Sequence, residues 1–187
     1  MDKELLKHEL KRHVSDSSAI VTLANPVYAG LETMVADMSD KVSINSRLIN
    51  MCLVYAGLGS LTKIRDFSKK VFKVGKESKE YVKGLHDIVF AGIFIVGLKP
   101  LVYLASGEAE WKKIVLATGL SVLAGAAIAY PAGYLVDSYR ELTGVEEYGR
   151  LPDIIKRQDP RFKKTLAALL TAGSVGAAAL IYAFNGK

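Results

Sequence analysis

The chain has 187 residues, half of them hydrophobic, and a formal charge of +6. Its mean hydropathy is +0.21, and residues 114–136 and 165–186 contain no charged side chain. Because roughly 20 apolar residues cross a bilayer as a helix, this composition excludes an ordinary soluble enzyme, a disordered chain and a disulfide-built secreted domain. Cys52 is the single cysteine, so the chain has no internal disulfide.

The segments in chain order indicate an all-helical membrane protein. Residues 1–16 form a charged segment with one leucine-rich face, which we expect to lie on the membrane surface. The predicted spans are residues 17–36, 42–62, 85–105, 114–136 and 165–184, with a charged linker at residues 143–164. Only helices satisfy their backbone hydrogen bonds within such segments. The fold class is therefore an all-α integral membrane protein, a helical bundle of about five transmembrane helices with a four-span core at residues 17–142.

The distribution of basic residues predicts the orientation of these spans. Nineteen of the 25 Lys and Arg residues fall in the N-terminal segment and in the second and fourth connections, all on one side of the predicted membrane. The positive-inside rule then places the N-terminus inside and the C-terminus outside. Nucleic-acid binding would be the other explanation for basic runs. It is disfavoured because the runs recur at alternate loops of a hydrophobic chain.

Ionisable groups near the span ends fall into two layers. Glu32 and Arg47 lie near the outer ends of the first two spans and are candidates for an outer gate and for substrate or ion coupling. Lys99 lies near the outer end of the third span, where we interpret it as an anchor whose ammonium reaches the interface. The inner layer holds Asp87, a further coupling candidate, and the inner-gate candidates Arg65, Asp66, Asp137, Arg140 and Tyr134. Anchoring and topology remain the alternative role, since charge in a membrane helix costs roughly 2.5–3.5 kcal/mol at its centre.

Asn25 and Pro26 mark a predicted interruption in the first span. Proline removes a helical hydrogen bond and frees a carbonyl four residues earlier. Broken membrane helices often present such backbone groups to a substrate. A simple kink is the commoner outcome of a single proline, but because of this possible exposed backbone we add Asn25 and Pro26 to the substrate candidates.

Catalytic and metal-binding motifs are absent from the sequence. It has no phosphate-binding G-x-x-x-x-G-K-[ST] loop, no H-E-x-x-H and no recognisable nucleophile elbow. Asp66, His86 and Asp87 are the only hint of a membrane enzyme or a metal site. We expect no enzymatic activity, no cofactor and no metal.

Two groups of residues keep fixed spacings: Glu32 with Met38, Ser39, Ser46, Arg47, Leu48, Arg65 and Asp66, and Gly133 with Tyr134, Asp137 and Arg140. Across residues 24–142 these spacings resemble the AlaE family of L-alanine exporters, small four-span inner-membrane proteins. The first half follows the family's E-x5-M-S-x6-S-R-L-x16-R-D pattern at Glu32, Met38, Ser39, Ser46, Arg47, Leu48, Arg65 and Asp66. The end of the fourth span is similar to its G-Y-x-x-D-x-x-R ending at Gly133, Tyr134, Asp137 and Arg140. The charged linker and the fifth span are additions to this pattern.

The resemblance implies secondary active export of L-alanine or a similar small neutral amino acid, by proton antiport and alternating access. Alanine is a zwitterion, so Glu32 or Asp87 would meet its ammonium, and Arg47 or the start of a broken helix would meet its carboxylate. We expect a multi-pass protein of the prokaryotic cytoplasmic (inner) membrane whose partners are the substrate, protons and the lipid bilayer, without nucleic acid. A homo-oligomer would supply more helices to line the transport path. The alternative is a non-transporting membrane scaffold or assembly protein that binds a partner or anionic lipid.

Overall fold

The computed structural model describes residues 3–57, 60–74 and 78–186, with the side chains of residues 60–63, 65, 66, 80, 83, 87 and 130 left undescribed. Helices dominate this part of the chain. They are α1 (Lys3–Gly30), α2 (Asp40–Ala56), α3 (Ser60–Val71), α4 (Glu80–Ala105), α5 (Trp111–Thr143), α6 (Asp153–Lys156) and α7 (Pro160–Asn185), with a π-helical turn at Leu31–Val35. No strand occurs in the described ranges. The predicted all-α class is confirmed.

Three segments are long and apolar enough to cross a membrane. Among the described residues these are Gly84–Ala105, Trp111–Ala129 and Pro160–Asn185. They coincide with the third, fourth and fifth predicted spans. The first two predicted spans fall on α1, which begins with a charged segment, and on α2, which has 17 residues. The total of five spans and the inside position of the N-terminus therefore stay predictions.

The first predicted span differs from its expected form. The prediction of an interruption at Asn25 and Pro26 is wrong, because α1 continues through both residues to Gly30. The charged N-terminal segment is also continuous with this helix from Lys3 onward. The irregular backbone begins one turn after the proline, at the π-helical turn. A proline inside a helix costs a hydrogen bond, but here the neighbouring turns keep their helical path.

The described chain divides into two compact units. The first contains the chain up to Gly30 together with Tyr130–Gly186, and the second contains Leu31–Ala129. The long helix α5 contributes residues to each of them.

In the first unit α1 packs against α7, and the end of α5 packs beside them. Tyr139 of α5 is fully buried, and its hydroxyl lies 2.7 Å from Thr22 Oγ1 and 3.2 Å from Thr171 Oγ1. It also donates to the carbonyl of Ala167 at 3.3 Å. The three hydroxyls hydrogen-bond to one another and so satisfy each other's donors and acceptors. They thus connect α1, α5 and α7.

In the second unit the core surrounds the turn between the π-helical turn and α2. Met38 and Tyr103 are fully buried there with Ile114. A short loop joins α4 to α5, with Gly107 at φ +98°, a conformation that favours glycine. Asn45 of α2 donates to the carbonyl of Ser106 in this loop at 3.2 Å. The start of α2, the end of α4 and the start of α5 therefore meet at one end of this unit.

Removing the hydroxyl of Tyr139 should destabilise the first unit. We expect Tyr139→Phe to lower the free energy of unfolding by about 1 kcal/mol, the usual net contribution of a buried hydrogen bond. Thermal unfolding of the purified protein in detergent measures the change. Tyr81→Phe is the control, because Tyr81 is 68% exposed. Equal melting temperatures for the two variants would contradict a stabilising role for the Tyr139 hydroxyl.

Candidate functional site

Glu32 occupies the π-helical turn at the start of the second unit. The amide of Ala36 donates to the carbonyl of Leu31 at 2.9 Å, and the amide of Met38 donates to the carbonyl of Glu32 at 2.9 Å. Asp37 follows in the left-handed region at φ +55° and helps the chain to reverse into α2. π-Helical turns are rare in proteins, but those that occur are often found at functional sites. Here the turn holds the Glu32 side chain, which is 1% exposed, against α2.

One face of α2 supplies the first partners of the Glu32 carboxylate. Ser43 Oγ donates to Oε2 at 2.7 Å, and Ser46 Oγ donates to Oε1 at 3.3 Å. Arg47 Nη2 donates to Oε1 and lies 3.0 Å from Ser46 Oγ. Residues three and four apart share a helix face, which is why these three side chains reach the same carboxylate. Ser43 and Ser46 are fully buried, and Arg47 is 6% exposed.

The end of α4 supplies the remaining partners. Tyr103 OH donates to Glu32 Oε1 at 2.9 Å and lies 3.2 Å from Ser121 Oγ of α5. Lys99, one turn earlier, places its Nζ 3.8 Å from Oε1 and 5.3 Å from the centre of the Tyr103 ring. One carboxylate therefore joins the π-helical turn to α2 and α4, and Tyr103 extends the network to α5. We refer to Glu32, Ser43, Ser46, Arg47, Lys99, Tyr103 and Ser121 as the Glu32 cluster.

The Glu32 cluster contains two basic side chains and one acidic side chain. All three are almost completely removed from solvent, since Lys99 is 7% exposed. Burying ionised groups costs several kcal/mol for each ion unless they are paired and hydrogen-bonded. Both Glu32 oxygens already accept hydrogen bonds. A new cation at this buried carboxylate would compete with its present donors, which makes the cluster suitable for an exchange of partners.

The structure brings the two outer-gate candidates into direct contact. Glu32 and Arg47 form a buried ion pair. Asn25 and Pro26 lie in α1, which belongs to the first unit, where Asn25 is buried. The side chains of Arg65, Asp66 and Asp87 lie outside the described residues, so their predicted roles stay predictions.

The other inner-gate candidates lie in the first unit. Arg140 binds both carboxylate oxygens of Asp16 at 2.6 Å and donates to Tyr148 OH at 2.8 Å. The hydrogen bonds to Asp16 raise the pKa of Arg140 above its usual value, against a smaller opposing effect of partial burial. Asp137 pairs with Arg150 at 3.4 Å. Arg140 and Asp137 are therefore each paired with a residue outside the predicted inner gate, Asp16 and Arg150 respectively.

Tyr134 completes this group. Its hydroxyl donates to the carbonyl of Arg150 at 2.8 Å, and the Arg150 guanidinium lies 5.5 Å from the centre of its ring. Arg150 thus contacts both Tyr134 and Asp137. Tyr134, Asp137 and Arg140 therefore belong to a network of ion pairs and hydrogen bonds near the end of α5. These contacts by themselves assign no transport role.

Lys99 is the main correction to the predicted site. Its interpretation as an anchor that reaches the interface is wrong, because its side chain is buried against Glu32 and Tyr103. Sequence reasoning also assigned no site role to Ser43, Tyr103 and Ser121, and it named Ser46 only as part of the family pattern. The position of Tyr103 four residues after Lys99, on the same face of α4, was the signal that could have found Tyr103.

His86, the central residue of the suggested metal site, contacts a serine hydroxyl and two aromatic rings. Its Nε2 lies 3.0 Å from Ser68 Oγ, and its ring packs beside the rings of Phe72 and Phe90 at 6.1 and 6.2 Å. Among the described residues, no group of three or more His, Cys, Asp or Glu side chains could hold a metal ion. The Asp66 and Asp87 side chains lie outside that search.

Apolar helices long enough to cross a bilayer, together with a buried charged cluster, define a helical membrane protein with a polar site. The chain belongs to the AlaE family, described as L-alanine exporter, whose model matches residues 5–146. No curated protein and no solved structure matched the chain. The family match contains the whole Glu32 cluster and ends before α7. A membrane protein of an amino-acid transport family is thereby established.

Neutralising Glu32 should destabilise the second unit strongly. We expect Glu32→Gln to lower the free energy of unfolding by about 3–5 kcal/mol, because Arg47 and Lys99 lose the carboxylate that they share. Glu32→Gln combined with Arg47→Gln should cost less than the sum of the two single substitutions. Denaturant unfolding in detergent measures this coupling.

Glu110→Gln is the matched control for that experiment. Glu110 also pairs with a lysine, Lys113, at 3.6 Å, but its side chain is 55% exposed. Exposed ion pairs contribute about 0–1 kcal/mol. A Glu32→Gln variant as stable as Glu110→Gln, or strictly additive single substitutions, would show that the buried network does not hold this unit together.

Proposed function

We propose that this protein is a secondary exporter of L-alanine that exchanges the amino acid for protons by alternating access. The observation that carries the proposal is the buried cluster of Glu32, Arg47 and Lys99 within the family-matched residues. Ionised side chains at membrane depth are expensive and commonly mark substrate or ion pathways. Similar small neutral amino acids are the next candidates for substrate.

The chemistry of the cluster suits a zwitterion. The carboxylate of alanine would bind Arg47 and Lys99, and its ammonium would bind Glu32. Lys99 Nζ, at 3.8 Å, is beyond hydrogen-bond distance from Glu32 Oε1, whereas Ser43 Oγ lies at 2.7 Å. The Lys99 contact is therefore the one that an ammonium would displace at least cost. The released lysine would then pair with the substrate carboxylate.

The same contacts provide an outer gate. Glu32 joins the π-helical turn to α2 and α4, so a change at this carboxylate loosens three elements together. A proton on Glu32 would remove the negative charge that Arg47 and Lys99 share. We propose that protonation and substrate binding alternate at Glu32. Asp87 is the second candidate for the coupling proton.

The inner gate would consist of the predicted set at the opposite ends of the helices: Arg65, Asp66, Asp137, Arg140 and Tyr134. The contacts between Arg140 and Asp16 and between Asp137 and Arg150 support an ion-pair layer there. Opening of one layer while the other is closed is the alternating-access cycle. We place the protein in the prokaryotic cytoplasmic membrane as a multi-pass protein with five spans and its N-terminus inside.

Counterflow of labelled L-alanine in proteoliposomes tests the transport reaction. We expect saturable exchange that an imposed pH gradient stimulates, and a loss of at least tenfold in Lys99→Gln because one substrate partner is removed. Lys112→Gln is the control, since it removes the same charge from an exposed position on α5. D-alanine and larger neutral amino acids test the specificity.

Two results would contradict the transport proposal. Folded wild-type protein that exchanges none of these amino acids would favour the non-transporting scaffold, and stable capture of a partner would then support that alternative. Exchange that Lys99→Gln and Lys112→Gln leave equally intact would remove the Glu32 cluster from the pathway. Exchange without any effect of the pH gradient would leave alanine as substrate and reject proton coupling.

Labelling of single cysteines tests the five-span topology. In a Cys52→Ser background, Ala109→Cys and a cysteine appended after Lys187 should react with a membrane-impermeant maleimide from outside intact cells. Glu147→Cys, which is exposed after α5, should react only after lysis. Labelling of both Ala109→Cys and Glu147→Cys from outside would refute the alternation of spans. Protection of only the appended cysteine would refute the fifth span.

A further inference from the structure

A long groove runs along the first unit between α1 and α7. Its volume is about 800 Å³, and its walls are mainly apolar. Leu10 and Val14 form the α1 side, and Ala168, Ala172 and Val175 form the α7 side. The end of α5 closes it with Tyr139 and Thr143. None of these walls belongs to the Glu32 cluster.

Three lysines stand at one end of the groove. Lys7 and Lys11 come from α1, and Lys164 is the fifth residue of α7. Lys11 donates to the carbonyl of Gly144 at 2.8 Å. In the part of the chain that the structure describes, Lys7 and Lys164 form no hydrogen bond or ion pair, and both are exposed. Two positive charges are therefore available to an anion at this end.

Along α7 the charged end of the groove comes first and its apolar wall follows. This helix is apolar enough to cross a membrane from Pro160 to Asn185, and Lys164 lies close to its start. Lysines at the start of a membrane helix lie near the depth of the lipid headgroups, and the following turns face the acyl chains. The groove thus offers positive charge at headgroup depth and an apolar channel beneath it.

We propose that this groove binds one anionic phospholipid, with its phosphate on Lys7 and Lys164 and one acyl chain along the α7 wall. The charge at the mouth selects this occupant. A second copy of the chain would bring the same lysines and meet like charge, and an amino-acid substrate would find no carboxylate among the lining residues for its ammonium. The binding of lipid is independent of alanine export.

Native mass spectrometry of the full-length protein with dioleoyl phosphatidylglycerol tests the proposal. We expect one phosphatidylglycerol to be retained at least tenfold more tightly than phosphatidylcholine of the same chain length. The double variant Lys7→Gln with Lys164→Gln should lower this retention about tenfold, since each lysine near a membrane surface adds to the attraction of anionic lipid. Lys41→Gln with Lys112→Gln is the control, because it removes two exposed lysines from the second unit.

A second pair of variants tests the apolar wall without a change of charge. Ala172→Phe fills the groove and should lower retention of phosphatidylglycerol about tenfold. Ala179→Phe, at an exposed position of the same helix outside the groove, should not change it. Both variants should keep the melting temperature of the wild type, because both positions are exposed.

Several outcomes would overturn the proposal. Equal retention of the two lipids would show that the groove does not select an anionic headgroup. Equal loss of phosphatidylglycerol in the two double lysine variants would show that its binding depends on general surface charge. Normal retention of phosphatidylglycerol by Ala172→Phe would show that no acyl chain lies in the groove. Competition by glycerol 3-phosphate as strong as by the lipid would indicate a phosphate site alone, and a lipid-free dimer would indicate a second copy. Alanine counterflow with Lys99→Gln tests a different unit, so either proposal can fail while the other stands.

Discussion

The polar interior of residues 31–129 depends on one carboxylate, that of Glu32. Its two oxygens accept from Ser43, Arg47 and Tyr103, which lie on two different helices. In a low-dielectric interior each of these bonds is strong, and each unpaired partner would be costly. A single proton or a single competing ammonium at this group therefore acts on several helices at once. The same property makes the carboxylate a structural tie and a suitable point of control.

Hydropathy and charge patterns predicted those features of the structure that follow from local sequence, without knowledge of tertiary contacts. The three most apolar helices coincide with predicted spans, and the position of Glu32 and Arg47 at neighbouring span ends predicted their closeness. The spaced motifs that resembled AlaE agree with the family match. These features need only the alternation of spans and a local count of residues.

The remaining contacts depend on tertiary packing. A lysine near a helix end can reach the interface or turn inward, and Lys99 turns inward beside Glu32, a contact that depends on how α4 packs against the π-helical turn. Serine hydroxyls give no hydropathy signal, so Ser43 was missed and Ser46 was named only as part of the family pattern. At Pro26 the local cost of proline was outweighed, and α1 continued. The pairing of Arg140 with Asp16 was hidden because the two residues are 124 positions apart in sequence.

The π-helical turn has a consequence for how this protein can change over evolution. An α-helix advances about 100° per residue, so the loss of one residue from Leu31–Val35 would turn Glu32 away from α2 while leaving the helices themselves intact. Substitutions around the turn alter side chains one at a time, but a change of length alters the direction of the carboxylate. Chain length in these five residues is thus constrained together with the identity of Glu32, because a deletion here would break the ion pair with Arg47 even where both residues are kept.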